Sequence, residues 1–277
     1  VTAPALIGVS AGAATDTGLR RRINEDSFIA EAPLFLVADG MGGHHAGEIA
    51  SAAVIEEFAV FTGRESLAID DVQAAISRAR RRIEALPDGG GAGAGTTLAG
   101  VVVAEVGGHG YWLAVNIGDS RTYLLSGSEF EQVSVDHSVV QELIDSGELD
   151  PAAAALDARR NVITRAIGGG NTSEADFWLL PAERGDRVLV CSDGLTGELP
   201  RERIESILRT EPDPQAAATT LVQEAIAHGG RDNITALVVH ALEVRSAPPG
   251  SHAALPTVED DVDGDTRPRA RATGGRA

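Results

Sequence analysis

The chain has 277 residues, 43% of them hydrophobic and 23% charged, which suits one large globular domain or two small ones. A formal net charge of −18 argues against a polynucleotide ligand, because phosphate backbones are met by basic surfaces; cations or basic partners are the expected ones. The single cysteine, Cys191, excludes an internal disulfide. No apolar stretch approaches the roughly 20 residues that span a bilayer, and no basic-then-apolar start is present, so a cytoplasmic protein without a membrane span is expected.

Residues 34–38 (LFLVA) form a short apolar run ending at Asp39-Gly40, the pattern of a buried strand opening into a loop. From Ala46 to Phe61 apolar residues recur at three- and four-residue steps, which predicts a helix. A second helix is predicted from Asp70 to Leu86, with Asp70 or Asp71 near its start and Pro87 beyond its end. The run 88–95 (DGGGAGAG) reads as a flexible loop. Residues 96–104, 111–117 and 121–125 are rich in β-branched and aromatic residues, and predict strands joined as a meander through Gly107–Gly110 and Gly118–Ser120. A short helix is predicted at 138–145, and the mixed span 146–164 reads as a surface flap. Strands follow at 187–192 and 234–240, separated by a helical stretch near 214–227. Strands and helices are grouped and do not alternate strictly, which points to an α+β layered fold with mostly antiparallel sheets. After about Val244 the composition turns to Pro, Ala, Gly and Asp, and five acidic residues balance five arginines. Residues 1–243 are therefore expected to form the folded domain and 244–277 a disordered tail.

Four segments set an aspartate beside small residues and an apolar run: VADGMGG (37–43), NIGDSR (116–121), CSDGL (191–195) and GRDNIT (230–235). In each, the aspartate is expected at the end of a strand, held by the sheet with its carboxylate in a loop. A fifth segment, RRINEDS (21–27), places Glu25 and Asp26 after a basic run. Converging carboxylates repel one another unless hard cations neutralise them. Mg²⁺, Mn²⁺ and Ca²⁺ prefer such oxygen ligands. Asp-Gly is also a common turn dipeptide, so on pattern alone a set of turns and a cation site both stay open.

Taken in order, RRINED (21–26), LVADGMGGHHAGEIAS (36–51), GTTL (95–98), NIGDSRTYLL (116–125), DHSVV (136–140), NVITRAIG (161–168), GDRVLVCSDGLT (185–196) and GGRDNIT (229–235) resemble the motif series of the protein phosphatase 2C family, the metal-dependent PPM phosphatases, and its bacterial branch above all. The likeness runs from about Gly8 to Val239. It implies a central sandwich of two antiparallel sheets flanked by helix pairs, with two Mn²⁺ or Mg²⁺ ions at one end between the sheets. It implies hydrolysis of phosphoserine and phosphothreonine by a metal-bridging water attacking phosphorus in line.

Carried over by motif, Asp39 bridges the two metals, Gly40 offers its backbone carbonyl, and Asp193 and Asp232 complete one shell. Glu25 falls where the family holds metal-bound water, with Asp26 and Asn233 supporting the ligands from behind. Asp119, with Asp193, matches a third, weaker metal site. Arg21 matches the phosphate-gripping arginine by its spacing from Glu25, although Arg20 and Arg22 allow a slip of one. Met41 stands where eukaryotic members carry a histidine that protonates the leaving group; a metal-bound water, His44 or His45 are the alternatives. His44 and His45 are otherwise expected to bond exposed backbone groups at the start of the 46–61 helix, and His137 to support the flap. Arg159 and Arg160 place substrate selection in the flap. Cys191, with acidic Asp193 nearby and no following arginine, reads as a packed core residue and not as a thiolate nucleophile. The resemblance further implies phosphoprotein substrates made by a bacterial serine/threonine kinase. The alternatives are a catalytically silent phosphoprotein-binding module of the same fold, and a two-metal phosphodiesterase.

Overall fold

In the computed structural model the described residues are 5–42, 45–86, 93–154, 157–170 and 173–245. Three strands open the chain, β1 (Ile7–Asp16), β2 (Asp26–Glu31) and β3 (Leu34–Met41), followed by helices α1 (Ala46–Ala59) and α2 (Ile69–Glu84). Strands β4 (Gly95–Thr96), β5 (Leu98–Val106), β6 (His109–Ile117), β7 (Arg121–Ser126) and β8 (Glu129–Gln132) come next. Short helices α3 (Val139–Asp145) and α4 (Pro151–Ala154) lead to β9 (Ile167–Gly168), β10 (Asp176–Pro181) and β11 (Arg187–Cys191). Helices α5 (Asp193–Thr196), α6 (Arg201–Thr210) and α7 (Pro214–His228) precede the last strand, β12 (Ile234–Val244).

The strands build two antiparallel sheets. One has the order β1-β12-β11-β7-β8; the other runs β10-β6-β5-β3-β4-β9, with β2 also paired to β3. The apolar runs follow from this layering. In β3, Leu34, Leu36 and Ala38 face α1 and α2, while Phe35 and Val37 face the opposite sheet. In β12, Ile234, Ala236 and Val238 pack under α6 and α7, while Leu237 and Val239 point between the sheets. A strand covered on both faces is apolar at every position and cannot show alternation. A slip of one residue would exchange these two sets of side chains, each fully buried aliphatic one contributing roughly 1.5–3 kcal/mol. The result is the α-β-β-α sandwich that the resemblance implied.

Local chemistry places the joints. The β5–β6 hairpin turns at Gly107 and Gly108, both at positive φ (60° and 85°), the conformation a two-residue hairpin turn demands. Helix α7 starts at Asp213, whose carboxylate accepts the Ala216 N–H at 2.9 Å, with Pro214 in the first turn. Buried Trp112 meets Phe35 edge-on at 6.4 Å and donates its indole N–H to Asp186 at 3.1 Å.

Some expectations shift. β3 does not open into a loop after Ala38; it continues through Asp39 to Met41, because β4 pairs with its last two residues. Asp232 does not follow a strand but precedes β12. Strands β1, β2, β8 and β10 and helix α6 have no counterpart in the predicted elements. Pro87, most of the 88–95 run and the tail from residue 246 lie outside the described residues. Among the described residues, no helix is long and apolar enough to cross a membrane.

Candidate active site

At one end of the sandwich a cavity of about 220 Å³ collects residues from both sheets. The large sheet supplies Asp39, Gly40 and Met41 from the end of β3, and Thr97 from the β4–β5 junction. The small sheet supplies Asp193, the residue that opens α5 after β11, and Asp232 and Asn233 before β12. Asp119 enters from the β6–β7 turn, Arg21 and Glu25 from the segment between β1 and β2, and Asn161 and Ile163 from the flap. The sequence-derived set Arg21, Glu25, Asp39, Gly40, Asp119, Asp193, Asp232 and Asn233 thus lines one cavity.

Backbone pairing sets Asp39. Its N–H donates to Thr97 Oγ1 at 3.0 Å, and its carbonyl accepts from Thr97 N at 2.9 Å and Thr96 Oγ1 at 2.9 Å. Next to it, Gly40 N–H donates to the Glu25 carbonyl at 3.1 Å. A Cβ on Gly40 would lie 2.1 Å from the Gly47 carbonyl oxygen, so β3 and α1 meet here only because residue 40 has no side chain. Asn233 secures the Arg21–Glu25 segment: its Oδ1 accepts the Glu25 N–H at 2.8 Å, and its Nδ2 donates to the Thr17 and Ile23 carbonyls at 3.0 and 2.9 Å.

The electrostatics are those of a cation site. Asp39 is directly opposite Asp26 in the β2–β3 register, a like-charged pair that would weaken the sheet if both were ionised. Burial, then the charges of Asp26, Asp193, Asp119 and Asp232, push the Asp39 carboxyl well above the usual range. Burial and neighbouring carboxylates also push Asp26 to about 6, Asp193 to about 6 and Asp119 to about 7. Asp26 joins the sheets by accepting from Ser192 Oγ at 2.8 Å and Thr235 Oγ1 at 2.6 Å, while its Oδ1 is buried without a hydrogen-bond partner. All these donors are oxygens, and buried carboxylates that repel one another are satisfied by hard divalent cations. Among the described residues no three acidic or imidazole groups are already drawn together as a closed coordination shell. A closed shell is not required, since Mg²⁺ keeps several waters and takes only one or two carboxylates. The residues fit such ions.

Of the three consecutive arginines, Arg21 is the one that lines the cavity. Its Nη2 donates to Asp232 Oδ2 at 2.6 Å, using one of the guanidinium's five N–H groups. His45 does not line the cavity; it stands at the start of α1 with φ 69° and pairs with Glu48 Oε2 at 3.3 Å, without the expected backbone bond. His44 lies outside the described residues. Cys191 is fully buried and its thiol is pushed up to about 12 by desolvation, as a core cysteine should be. Sequence reasoning did not single out Thr97, Asn161 and Ile163 as site residues. They sit inside the GTTL and NVITRAIG motifs, but none carries a charge that would mark it.

A two-sheet sandwich with a carboxylate cavity at one end offers oxygen donors suited to hard divalent cations. The family model described as protein phosphatase 2C matches residues 21–227. A serine/threonine phosphatase from Listeria innocua is 35% identical over 243 residues, covering 81% of this chain and 93% of that protein. The serine/threonine protein phosphatase PstP of Mycobacterium tuberculosis is 39% identical over 237 residues, covering 83% of this chain and 45% of that longer protein. A crystal structure of the PstP catalytic domain in complex with two manganese ions superposes with a TM-score of 0.76 at 36% identity, covering 85% of this chain and 99% of that one. The chain belongs to the protein phosphatase 2C family, in its bacterial branch. It is a metal-dependent protein serine/threonine phosphatase, and its substrates are phosphoproteins.

Proposed function

We propose that Asp39, Gly40, Asp193 and Asp232, with Glu25, hold a pair of Mn²⁺ or Mg²⁺ ions, and that Asp119 with Asp193 holds a third, weaker one. The observation that carries this is the convergence of these carboxylates from two sheets on one cavity. Bound divalent cations supply Lewis acidity there, neutralising phosphoryl charge and acidifying water. The protein's own residues do the rest. Asp39 would be the ligand common to both ions, and its backbone is held in place by bonds to Thr96 and Thr97. Arg21 grips two phosphoryl oxygens with its planar fork and orients phosphorus toward the ions. Asp26 and Asn233 hold β2 and the Arg21–Glu25 segment in register with β12. Met41 cannot supply the leaving-group proton, which leaves water or His44, a residue outside the described ones.

Phosphoserine and phosphothreonine arise by phosphoryl transfer to protein hydroxyls, so the enzyme opposes a serine/threonine kinase. Substrate choice falls to the flap around Arg159 and Arg160, next to the cavity-lining Asn161. A cytoplasmic site of action is consistent with a chain whose lone cysteine is buried and makes no internal disulfide. The test is release of phosphate from a phosphothreonine peptide with Mn²⁺. Wild type should turn over and Asp39→Asn should lose at least about 10³-fold in kcat, the scale of a lost transition-state charge contact. Turnover retained by Asp39→Asn would remove Asp39 from the centre.

A further inference from the structure

We infer that His137 is a positioning residue for Asp119, holding the turn that carries this carboxylate and tying that turn to the flap. The inference rests on the reading of Asp119 as a metal ligand.

Both backbone groups of Gly118, the residue before Asp119, are bonded to His137. The Gly118 N–H donates to His137 Nδ1 at 3.1 Å, and the His137 N–H donates to the Gly118 carbonyl at 2.9 Å. Asn116 Nδ2 donates to the same carbonyl at 3.1 Å. Gly118 has φ 106°, and a Cβ there would lie 2.5 Å from Thr97 Cγ2, so the turn has little room for another shape. On its far side Ser120 Oγ meets Thr97 Oγ1 at 2.7 Å, the hydroxyl that also accepts the Asp39 N–H. Asp119 therefore hangs between two anchors, Thr97 on the Asp39 side and His137 on the other.

The imidazole is set by what lies beyond it. A backbone N–H can only donate, so Nδ1 is the bare nitrogen and the ring proton sits on Nε2. There Asp176 Oδ2 accepts it at 3.1 Å, while Asp176 Oδ1 accepts from Arg165 Nη1 at 3.0 Å. The hydrogen bond from His137 is the largest cause holding the Asp176 carboxyl below its usual range. Only one ring orientation satisfies both contacts, and His137 is buried, at 5% exposure. The His137 carbonyl accepts from Thr164 N at 2.8 Å, and Ser138 bridges to Ile163, which lines the cavity. Displacement of the 161–165 segment thus reaches the Asp119 turn through the backbone and ring of His137, which makes binding at Asp119 responsive to what the flap contacts.

Two substitutions separate the ring's two functions. His137→Asn keeps an acceptor near the place of Nδ1 but cannot reach Asp176. His137→Gln reaches toward Asp176 but offers Gly118 no acceptor. Mn²⁺ is titrated calorimetrically into metal-stripped protein, with hydrogen exchange at the Gly118 amide as a second readout. Asp119→Asn should abolish the weakest binding event. His137→Gln should weaken that event roughly tenfold or more, the usual cost of losing a group that orients a ligand, and speed exchange at Gly118. His137→Asn should stay close to wild type in both. Loss in Asp119→Asn with none in His137→Gln overturns the positioning proposal alone. No loss in Asp119→Asn sinks the ligand reading and the proposal with it. Should His137→Gln fail to fold, His137→Leu carries the test, because it fills much of the ring's volume and offers Gly118 no acceptor. It too should weaken the same event, and unchanged Mn²⁺ affinity would overturn the proposal.

Discussion

Arg21 reaches the cavity from an exposed segment and pairs there with Asp232. The two charges are complementary at 2.6 Å, and the pair raises the already high pKa of the guanidinium. That pairing uses one of the guanidinium's five N–H groups, which leaves the rest of the fork for the phosphate proposed to bind there. Removing the guanidinium should therefore damage substrate binding more than turnover. Arg21→Ala should raise KM for a phosphothreonine peptide about 10- to 100-fold, the equivalent of roughly 1.5–3 kcal/mol for hydrogen bonds to a charged group. Arg21→Lys should recover only part of this, since an ammonium cannot bind two oxygens in one plane. An unchanged KM in Arg21→Ala would show that phosphate is gripped elsewhere. The aspartates and Arg21 were legible through the ordered motifs that carry the family resemblance, since the pattern alone left turns and a cation site both open. Thr97, Ser192 and Thr235 were not, because a hydroxyl that orients a carboxylate looks like any other strand residue until its partner is known.

Elements explain why the ligands converge. The end of β3 loses β5 as a partner after Val37 and gains β4 at Gly40, so Asp39 sits where the sheet changes edge. Helix α1 can approach that point only over Gly40 and Gly47; a Cβ on Gly47 would lie 2.5 Å from Glu25 Oε1. Gly40→Ala is expected to be destabilised by about 1–3 kcal/mol, as overpacked sites are, and to lose activity with it. A wild-type melting temperature and turnover would refute this reading of the junction. Strands β3, β5, β11 and β12 could be read from sequence because burial on both faces writes them as unbroken apolar runs. Strand β1 (IGVSAGAATD) could not, since its alanines and glycines carry little strand preference and its place comes from pairing with β12, more than 200 residues away. Helix α6 has its apolar positions Ile204, Ile207 and Leu208 on one face, but within ten residues that signal is short.

At the scale of the whole molecule, the centre lies between two sheets that each contribute carboxylates, so charge there opposes closing the sandwich. Asp26, Asp119 and Asp193 have folded-state pKa values raised from 3.8 to about 6, 7 and 6. For a raised carboxyl, stability is fully present below the unfolded value and is lost as pH rises through the folded one. The metal-free protein should therefore melt at falling temperatures as pH rises from about 4 to 7. Carboxylates shifted the other way, such as Asp157 and Asp176, act below that window. Mn²⁺ at 100 times its dissociation constant should restore about 2.7 kcal/mol at pH 7.5. A melting temperature independent of pH across that window would mean that the carboxylates are not strained against one another.

Anomalous scattering from a crystal grown with Mn²⁺ tests the central assignment most directly. Two peaks sharing Asp39, with Asp193 and Asp232 both on one of them, are the expected result. Manganese outside this cavity, or an Asp39 that touches only one ion, would contradict it.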